Sequence, residues 1–595
     1  MRLKRSVMFC ASAAALVSCA LTASAAVENA VNITIDTAKD RKPISPYIYG
    51  VNAELMEKDV ACKSVRAGGN RYSAYNWETN ASNAGSDWKN ISDGYFQQAV
   101  APEMQDTPGC AALHLADICK QKDAYPLMTL EMAGYVSADM NGEVTKDEKA
   151  PSDRWNKVEL VKGKEFSLTP DLNDKTVYMD EFVNYLKETL GDSQNGGIRG
   201  YSLDNEPSLW SGTHSLVHPE QTTCKEIIDK SITMAKAVKA VDPNAEIFGP
   251  ALYGFNAFVC FQNAPDWNEV RYNDPDYRWF IDYYLDEMKK AEDDCGQRLL
   301  DVLDIHYYTE AKGACGERSC SHFSDEKCVA ARLNSTRTLW DDSYTEDSWI
   351  AGSEFLPLLP NIRASIDKFY PDTKLAITEY DFGAPYDISG GIAEADALGV
   401  FAQNEVYFAS LFTFDADYQM AAINLYTNCD GSGGGFGDTL VSCESDDVAT
   451  STAYAAVNGD SDDLLTVVVT NKSFKDKTTA NINLGGEYGY AKLYGLSSMA
   501  AQVFEMGDSE NGAVTLSGDT LTYEMEPETV SLIVIGKDKN SAETKSDAQE
   551  EESSEDSASS DDAPIAGAVA AGSATVLGIA LAAVRRLGLK KRKTE

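Results

Sequence analysis

The sequence predicts an α/β fold, a (β/α)8 barrel of the TIM type joined to an all-β sandwich that shares the N-terminal strand, with a C-terminal transmembrane helix beyond both. Three observations carry this reading. Short apolar runs alternate with amphipathic helices from residue 44 to about 445, the pattern of a parallel α/β fold. Two of those runs stop abruptly on a glutamate, at Glu206 and at Glu379. After residue 446 the chain turns into short strands separated by Gly, Asn and Asp turns, the signature of a sandwich.

Residues 31–36 alternate as a β-strand ahead of the barrel and need a sheet to join, for which the later sandwich is the natural partner. The barrel strands then read as 44–52, 64–71, 126–132, 200–206, 245–250, 299–308, 374–379 and 421–426. Between them lie helices at 178–190, 219–241, 277–291 and 362–369. In the first, Phe182, Val183, Leu186 and Leu190 form the apolar stripe. Residues 309–348 read as an insertion at the barrel rim. The sandwich strands are 464–470, 479–484, 491–494, 514–516, 521–523 and 529–535.

Pro207 cannot donate to a sheet ladder and disfavours helical geometry in the residue before it, so Glu206 falls where a strand gives way to a loop. In a (β/α)8 barrel that rim is where chemistry is done. Two carboxylates on two strand ends are what glycoside hydrolysis needs: one protonates the leaving oxygen while the other attacks the anomeric carbon or activates water. A carboxyl separation of about 5 to 5.5 Å is expected for the retaining course, and one beyond about 6.5 Å would leave room for water and inversion. Like-charge repulsion from Glu379 should raise the pKa of Glu206. Glu131, at the third strand end, reads either as a rim carboxylate or as a buried strand residue.

The polar loop 75–88 carries Trp77 and Trp88, which suit sugar faces if exposed and fill core if not. Trp77, Trp210 and Trp349 are the expected sugar platforms. Asn205 is placed for the sugar 2-hydroxyl, His306 and Tyr380 for orienting the nucleophile, and Tyr308 for contact with substrate.

At −41, the formal charge repels nucleic-acid phosphates and leaves a neutral polymer open as partner. The expected partners are thus a neutral polysaccharide, which the resemblance given below narrows to a β-glucan, no nucleic acid, and a membrane, with the chain a monomer. Residues 1–25 read as an export signal: Arg2, Lys4 and Arg5, an apolar run, then a small-residue cleavage site. The alternative is a lipoprotein signal ending at Cys19. The remaining segments are 26–45 as the N-terminal strand region, 46–445 as the barrel and 446–537 as the sandwich. Residues 538–562 form an acidic, Ser-rich linker. Residues 563–584 are free of charge and about 33 Å long as a helix, followed by a basic tail at 585–595. They predict a membrane anchor with the barrel outside the cell. Eleven cysteines remain beyond the signal. Cys315 with Cys320, and Cys429 with Cys443, are close enough in sequence to staple loops, whereas Cys119, Cys224 and Cys260 read as small core residues. No Cys/His spacing suggests zinc, and the metal ligands are unassigned.

Five segments together carry a family resemblance: Arg66–Arg71 running into Tyr75–Glu78; Asp204–Pro207 with Leu209, Trp210, Thr213 and His214; Asp304–Tyr307; Glu346–Trp349; and Ile377–Tyr380 followed by Ile388–Ile392. From residue 31 to 535 the chain resembles glycoside hydrolase family 44. The resemblance implies a barrel with a sandwich, retaining endo-hydrolysis of β-1,4-glucans including xyloglucan, and no cofactor for chemistry. It also implies Glu206 as acid/base and Glu379 as nucleophile, and it allows a structural Ca2+. Two departures, Asp381-Phe382 after Glu379-Tyr380 and Ala67 after Arg66, bear on subsite preference. A glycan-binding surface protein without turnover, or a hydrolase of mannan or xylan, is the alternative.

Overall fold

The computed structural model describes residues 29–313, 316–318 and 323–543. Eight parallel strands close into a barrel: β1 (Gly50–Asn52), β2 (Ser64–Ala67), β3 (Tyr125–Leu130), β4 (Gly200–Leu203), β5 (Glu246–Leu252), β6 (Val302–Tyr308), β7 (Lys374–Asp381) and β8 (Phe408–Leu411). Every described residue of these strands is shielded on both faces except at a few ends, as a parallel sheet wrapped in helices requires. Tyr125, Leu127, Phe248, Val302, Ala376 and Phe408 form one cluster inside the barrel, so its lower half is packed core and not a channel.

Seven of the eight strands lie where the sequence places them. The eighth does not: residues 421–426 are part of the helix Asp417–Thr427, and Phe408–Leu411 closes the barrel. A short apolar run cannot be told from a buried helical turn by its pattern, and here Ala421, Ala422, Ile423, Leu425 and Tyr426 are all buried in a helix packed on the neighbouring helix Ile388–Gln403.

Two strands carry the irregularities that matter. The register between β6 and β7 shifts between Ile305 and His306, which brings His306 opposite Glu379. The β5–β6 register shifts between Gly249 and Leu252. Such bulges re-aim side chains at a barrel rim.

The second layer is an eleven-stranded sheet that folds over through the strand Thr439–Ser445. That strand pairs antiparallel with Asn29–Asp36 on one side and with Ala453–Asn458 on the other. Asn29–Asp36 also runs parallel to Thr478–Asn483, so the N-terminal strand is inserted among C-terminal ones. Val31, Ile33, Ile35, Ala480, Ile482, Val467 and Ile533 share one core. The sheet begins at Thr439, earlier than residue 446, because Leu440 and Val441 already face inward. Barrel and sheet are joined by a fully buried ion pair, Lys472 Nζ to Asp396 Oδ2 at 2.9 Å, with Tyr454 donating to the same carboxylate at 2.7 Å.

The transmembrane part of the predicted fold class is corrected. Among the described residues no helix is long and apolar enough to cross a membrane. Residues 563–584, which carried the expectation, lie outside the described residues, as do the export signal 1–25, the linker from 544 onward and the basic tail. With that helix go the membrane partner and the anchored localisation, because an uncharged stretch of sufficient length is a necessary condition for a span and not an observation of one. The Cys429–Cys443 staple is corrected too: Cys443 is a free thiol on the strand paired with Ile35. Cys315 and Cys320 lie outside the described residues.

Candidate active site

The mouth of the barrel is organised by the end of β4. Asp204 and Glu206 both adopt left-handed backbone, with φ of 63° and 45°. Glu206 is therefore not in the extended geometry that the following proline suggested. Its N–H donates to the Ala251 carbonyl at 3.1 Å and its own carbonyl accepts from Leu209 at 2.8 Å, which fixes the turn against β5. Glu379 sits two residues before the end of β7 and points into the same space.

Between the two lies His306. Its Nδ1 is 2.9 Å from Glu206 Oε1 and 3.4 Å from Glu379 Oε2. One carboxylate oxygen of each glutamate and a ring nitrogen of His306 all lie within 4.8 Å of one another. The Tyr308 hydroxyl donates to Glu379 Oε2 at 2.8 Å, and Arg66 Nη1 donates to Glu379 Oε1 at 2.7 Å. Arg66 reaches further, from Nη2 to Asn205 Oδ1 at 2.7 Å and from Nη1 to Asn52 Oδ1 at 3.2 Å. Its side chain is completely buried.

These surroundings drive the two carboxyls apart. Burial raises Glu206 above the ordinary carboxylate value, and the charge of Glu379 adds to this against the contact with His306. Burial acts on Glu379 in the same sense, but the charges of His306 and Arg66 and the hydrogen bonds from Arg66 and Tyr308 outweigh it and hold Glu379 below its ordinary value. A protonated acid beside an ionised carboxylate is the division of labour that glycoside cleavage uses.

Asn205 Oδ1 accepts from both Arg66 and the Gly69 N–H at 3.2 Å, and its Nδ2 donates to Asn70 Oδ1 at 3.2 Å. That leaves one amide hydrogen for a ligand. Of the three tryptophans, only Trp349 is open, at 58% exposure, edge-on to Phe255 with ring centroids 5.8 Å apart. Trp77 is fully buried and stacks on Phe182 at 5.1 Å. Trp210 is fully buried beneath Lys230, whose Nζ lies 4.7 Å from the ring centroid. Neither indole offers a face to a sugar, because the loops carrying them fold back onto the barrel's own helices. Tyr380 is one residue past Glu379, and the alternation of a strand turns it the other way, where its hydroxyl donates to Glu394 at 2.6 Å. Glu131 is fully buried just past β3, neither of its oxygens has a partner, and burial pushes it well above the ordinary range.

Arg66 and Asn52 are the functional side chains that sequence reasoning passed over. The signal for Arg66 was present, an arginine inside an apolar strand. Its burial depends on Gly68: a Cβ there would lie 2.1 Å from Arg66 Cζ. Gly68→Ala is therefore expected to push the guanidinium off Glu379 and to lower kcat/KM about hundredfold. Kinetics beside a thermal melt checks this, with the melt lowered as well because the displaced guanidinium leaves a buried carboxylate unpaired.

Glu206, His306 and Glu379 are also, among the described residues, the acids and histidine whose ligand atoms converge as a metal site would require. Arg66 on Glu379 does not fit a cation there, since it already supplies the positive charge. This cluster is therefore not the place of the structural Ca2+.

A barrel rim bearing two apposed glutamates of opposite protonation tendency defines a glycoside hydrolase. Residues 81–311 match the family described as Glycoside hydrolase family 44. Endoglucanase A of Paenibacillus lautus is 45% identical over 522 residues, covering 85% of this chain and 73% of that protein. The Beta-mannanase/endoglucanase A of Caldicellulosiruptor saccharolyticus is 44% identical over 501 residues, covering 81% of this chain but only 37% of that longer protein. The structure of a Paenibacillus polymyxa xyloglucanase of the same family, with xyloglucan, superposes with a TM-score of 0.82 at 45% identity, covering 85% of this chain and 99% of that one. The chain belongs to glycoside hydrolase family 44.

Proposed function

We propose that this protein is a retaining endo-β-1,4-glucanase acting on xyloglucan- and cellulose-type polysaccharide. The observation that carries the mechanism is the close approach of Glu206 and Glu379, one oxygen of each lying within 4.8 Å of the other, which favours the shorter carboxyl separation of retaining enzymes over the wider one that admits an attacking water. Glu379, held ionised by Arg66 and Tyr308, attacks the anomeric carbon as Glu206 gives its proton to the leaving oxygen. Glu206, now ionised, then takes a proton from the water that releases the glycosyl-enzyme. The free amide hydrogen of Asn205 is placed for the sugar 2-hydroxyl, and Trp349 with Phe255 for a sugar face on the β5–β6 side. None of the steps draws on a cofactor.

The test is reducing-end release from xyloglucan, carboxymethylcellulose and mannan by the full chain, with NMR of the first product anomer. Cleavage of either glucan with initial β-product is expected. Binding without cleavage would make the protein a glycan receptor, and mannan cleaved faster than both glucans would move the substrate to the mannanase named among its relatives.

A further inference from the structure

We propose that Asp204, which touches no substrate, is the positioning residue that holds Glu206 where it can donate its proton. The inference rests on the glycosidase reading above and asks how one carboxyl is kept in place.

Asp204 is completely buried. Its Oδ1 accepts from the Ser73 hydroxyl and from the Asn205 N–H, the latter at 2.7 Å, and its Oδ2 accepts from the N–H groups of Met132 and Ala133, the latter at 3.0 Å. Those donors belong to three different loops, the ones following β2, β3 and β4. One carboxylate therefore gathers three of the eight rim loops onto the residue pair before the acid.

Backbone conformation shows what this gathering holds. Asp204 and Glu206 are both L-residues in the left-handed region, flanking Asn205. Such geometry persists only where the surroundings over-determine it, and it clusters at functional sites. The Asn205 N–H on Asp204 Oδ1 closes the turn locally, while the Glu206 N–H on Ala251 pins its far side. Glu379 is held by a different set, Arg66, Tyr308 and the β6–β7 register, which meets the Asp204 network only at the Asn205 side chain. Loosening Asp204 should thus displace the acid and spare the nucleophile.

That separation has a kinetic signature. In the first step the C1–O bond breaks as Glu379 oxygen bonds to C1, and the departing oxygen takes the Glu206 proton. A leaving group acidic enough to depart as its anion needs no proton. Asp204→Asn keeps the size of the side chain but sets an NH2 group against either the Ser73–Asn205 pair or the Met132–Ala133 amides, so one pair of donors loses its acceptor.

The experiment compares kcat/KM of the full chain and Asp204→Asn on 2,4-dinitrophenyl and unactivated alkyl glycosides of the same cello-oligosaccharide, with melting temperatures alongside. On the alkyl glycoside the variant is expected to fall about hundredfold, while on the dinitrophenyl glycoside it stays within about threefold. A parallel fall on both substrates, or no fall on either, overturns the proposal, since a merely structural aspartate would damage both steps alike. Ser73→Ala removes one donor only and is expected to show the same leaving-group dependence at smaller size; its absence in a folded Ser73→Ala protein counts against the proposal even if Asp204→Asn does not fold. An unmodified chain that cleaves neither glycoside nor any polymer overturns the glycosidase reading itself, and this inference with it.

Discussion

Glu379→Gln is expected to lower kcat on β-glucan by on the order of 10⁴-fold or more, with KM little changed, because it removes the bond-forming atom and not a binding contact. The substitution keeps the size of the side chain but sets an NH2 group against either Arg66 Nη1 or the Tyr308 hydroxyl, which approach at 2.7 and 2.8 Å, so a melting curve beside the kinetics separates that structural cost from loss of the nucleophile. Azide supplied to a Glu379→Gly variant should restore turnover with inverted product, since a small anion can enter from the vacated side. Residual activity within about tenfold of the unmodified enzyme would rule Glu379 out as nucleophile.

Arg66→Met carries the second largest effect, and acts on stability and pH dependence together. Removing one partner of a buried ion pair leaves the other uncompensated, at a cost of about 3–5 kcal/mol. Denaturant unfolding measures that cost. The pH dependence follows from the sign of the shift. Glu379 is held below its ordinary pKa, so its ionisation contributes stability that is present above the unfolded value and is lost as pH falls through the folded one. Without Arg66 the dominant remaining influence is burial, which raises Glu379. The acid limb of the pH–rate profile is therefore expected to move to higher pH. Arg66→Lys should keep part of the pKa effect but not the forked contact to Asn205, because an ammonium cannot span both acceptors. An unmoved acid limb in Arg66→Met would contradict the assignment of that limb to Glu379.

How far the site could be read from the chain follows from what each residue depends on. Glu206 and Glu379 announce themselves because a strand that ends on a carboxylate is a local pattern, and the barrel topology turns two such local patterns into one place. His306 was readable on the same ground, as a strand-end residue. The failures share a different cause. Trp77 and Trp210 stand in polar, loop-like sequence, yet Trp77 is buried by Phe182, far along the chain, and Trp210 by His218 and Lys230 from the loop and helix that follow it. Tyr380 lies next to Glu379 in sequence but on the other face of the strand, bonded to Glu394. The eighth strand was sought in residues 421–426, whose apolar run a helix uses equally well.

The first seven barrel strands, the two rim carboxylates, the kinship with family 44 and the change of period at the sandwich are determined by the sequence alone, since each rests on spacing or on residues adjacent in the chain. Tertiary structure decided what depends on distant partners. It set which aromatics stay open, that Arg66 lies across Glu379 and Asn205, and that His306 bridges both glutamates. It also opposed the shifts of the two carboxyls and tied the Glu206 turn to three loops through Asp204. Burial and pairing of charge are properties of the packed neighbourhood, and in a barrel that neighbourhood is assembled from strand ends hundreds of residues apart.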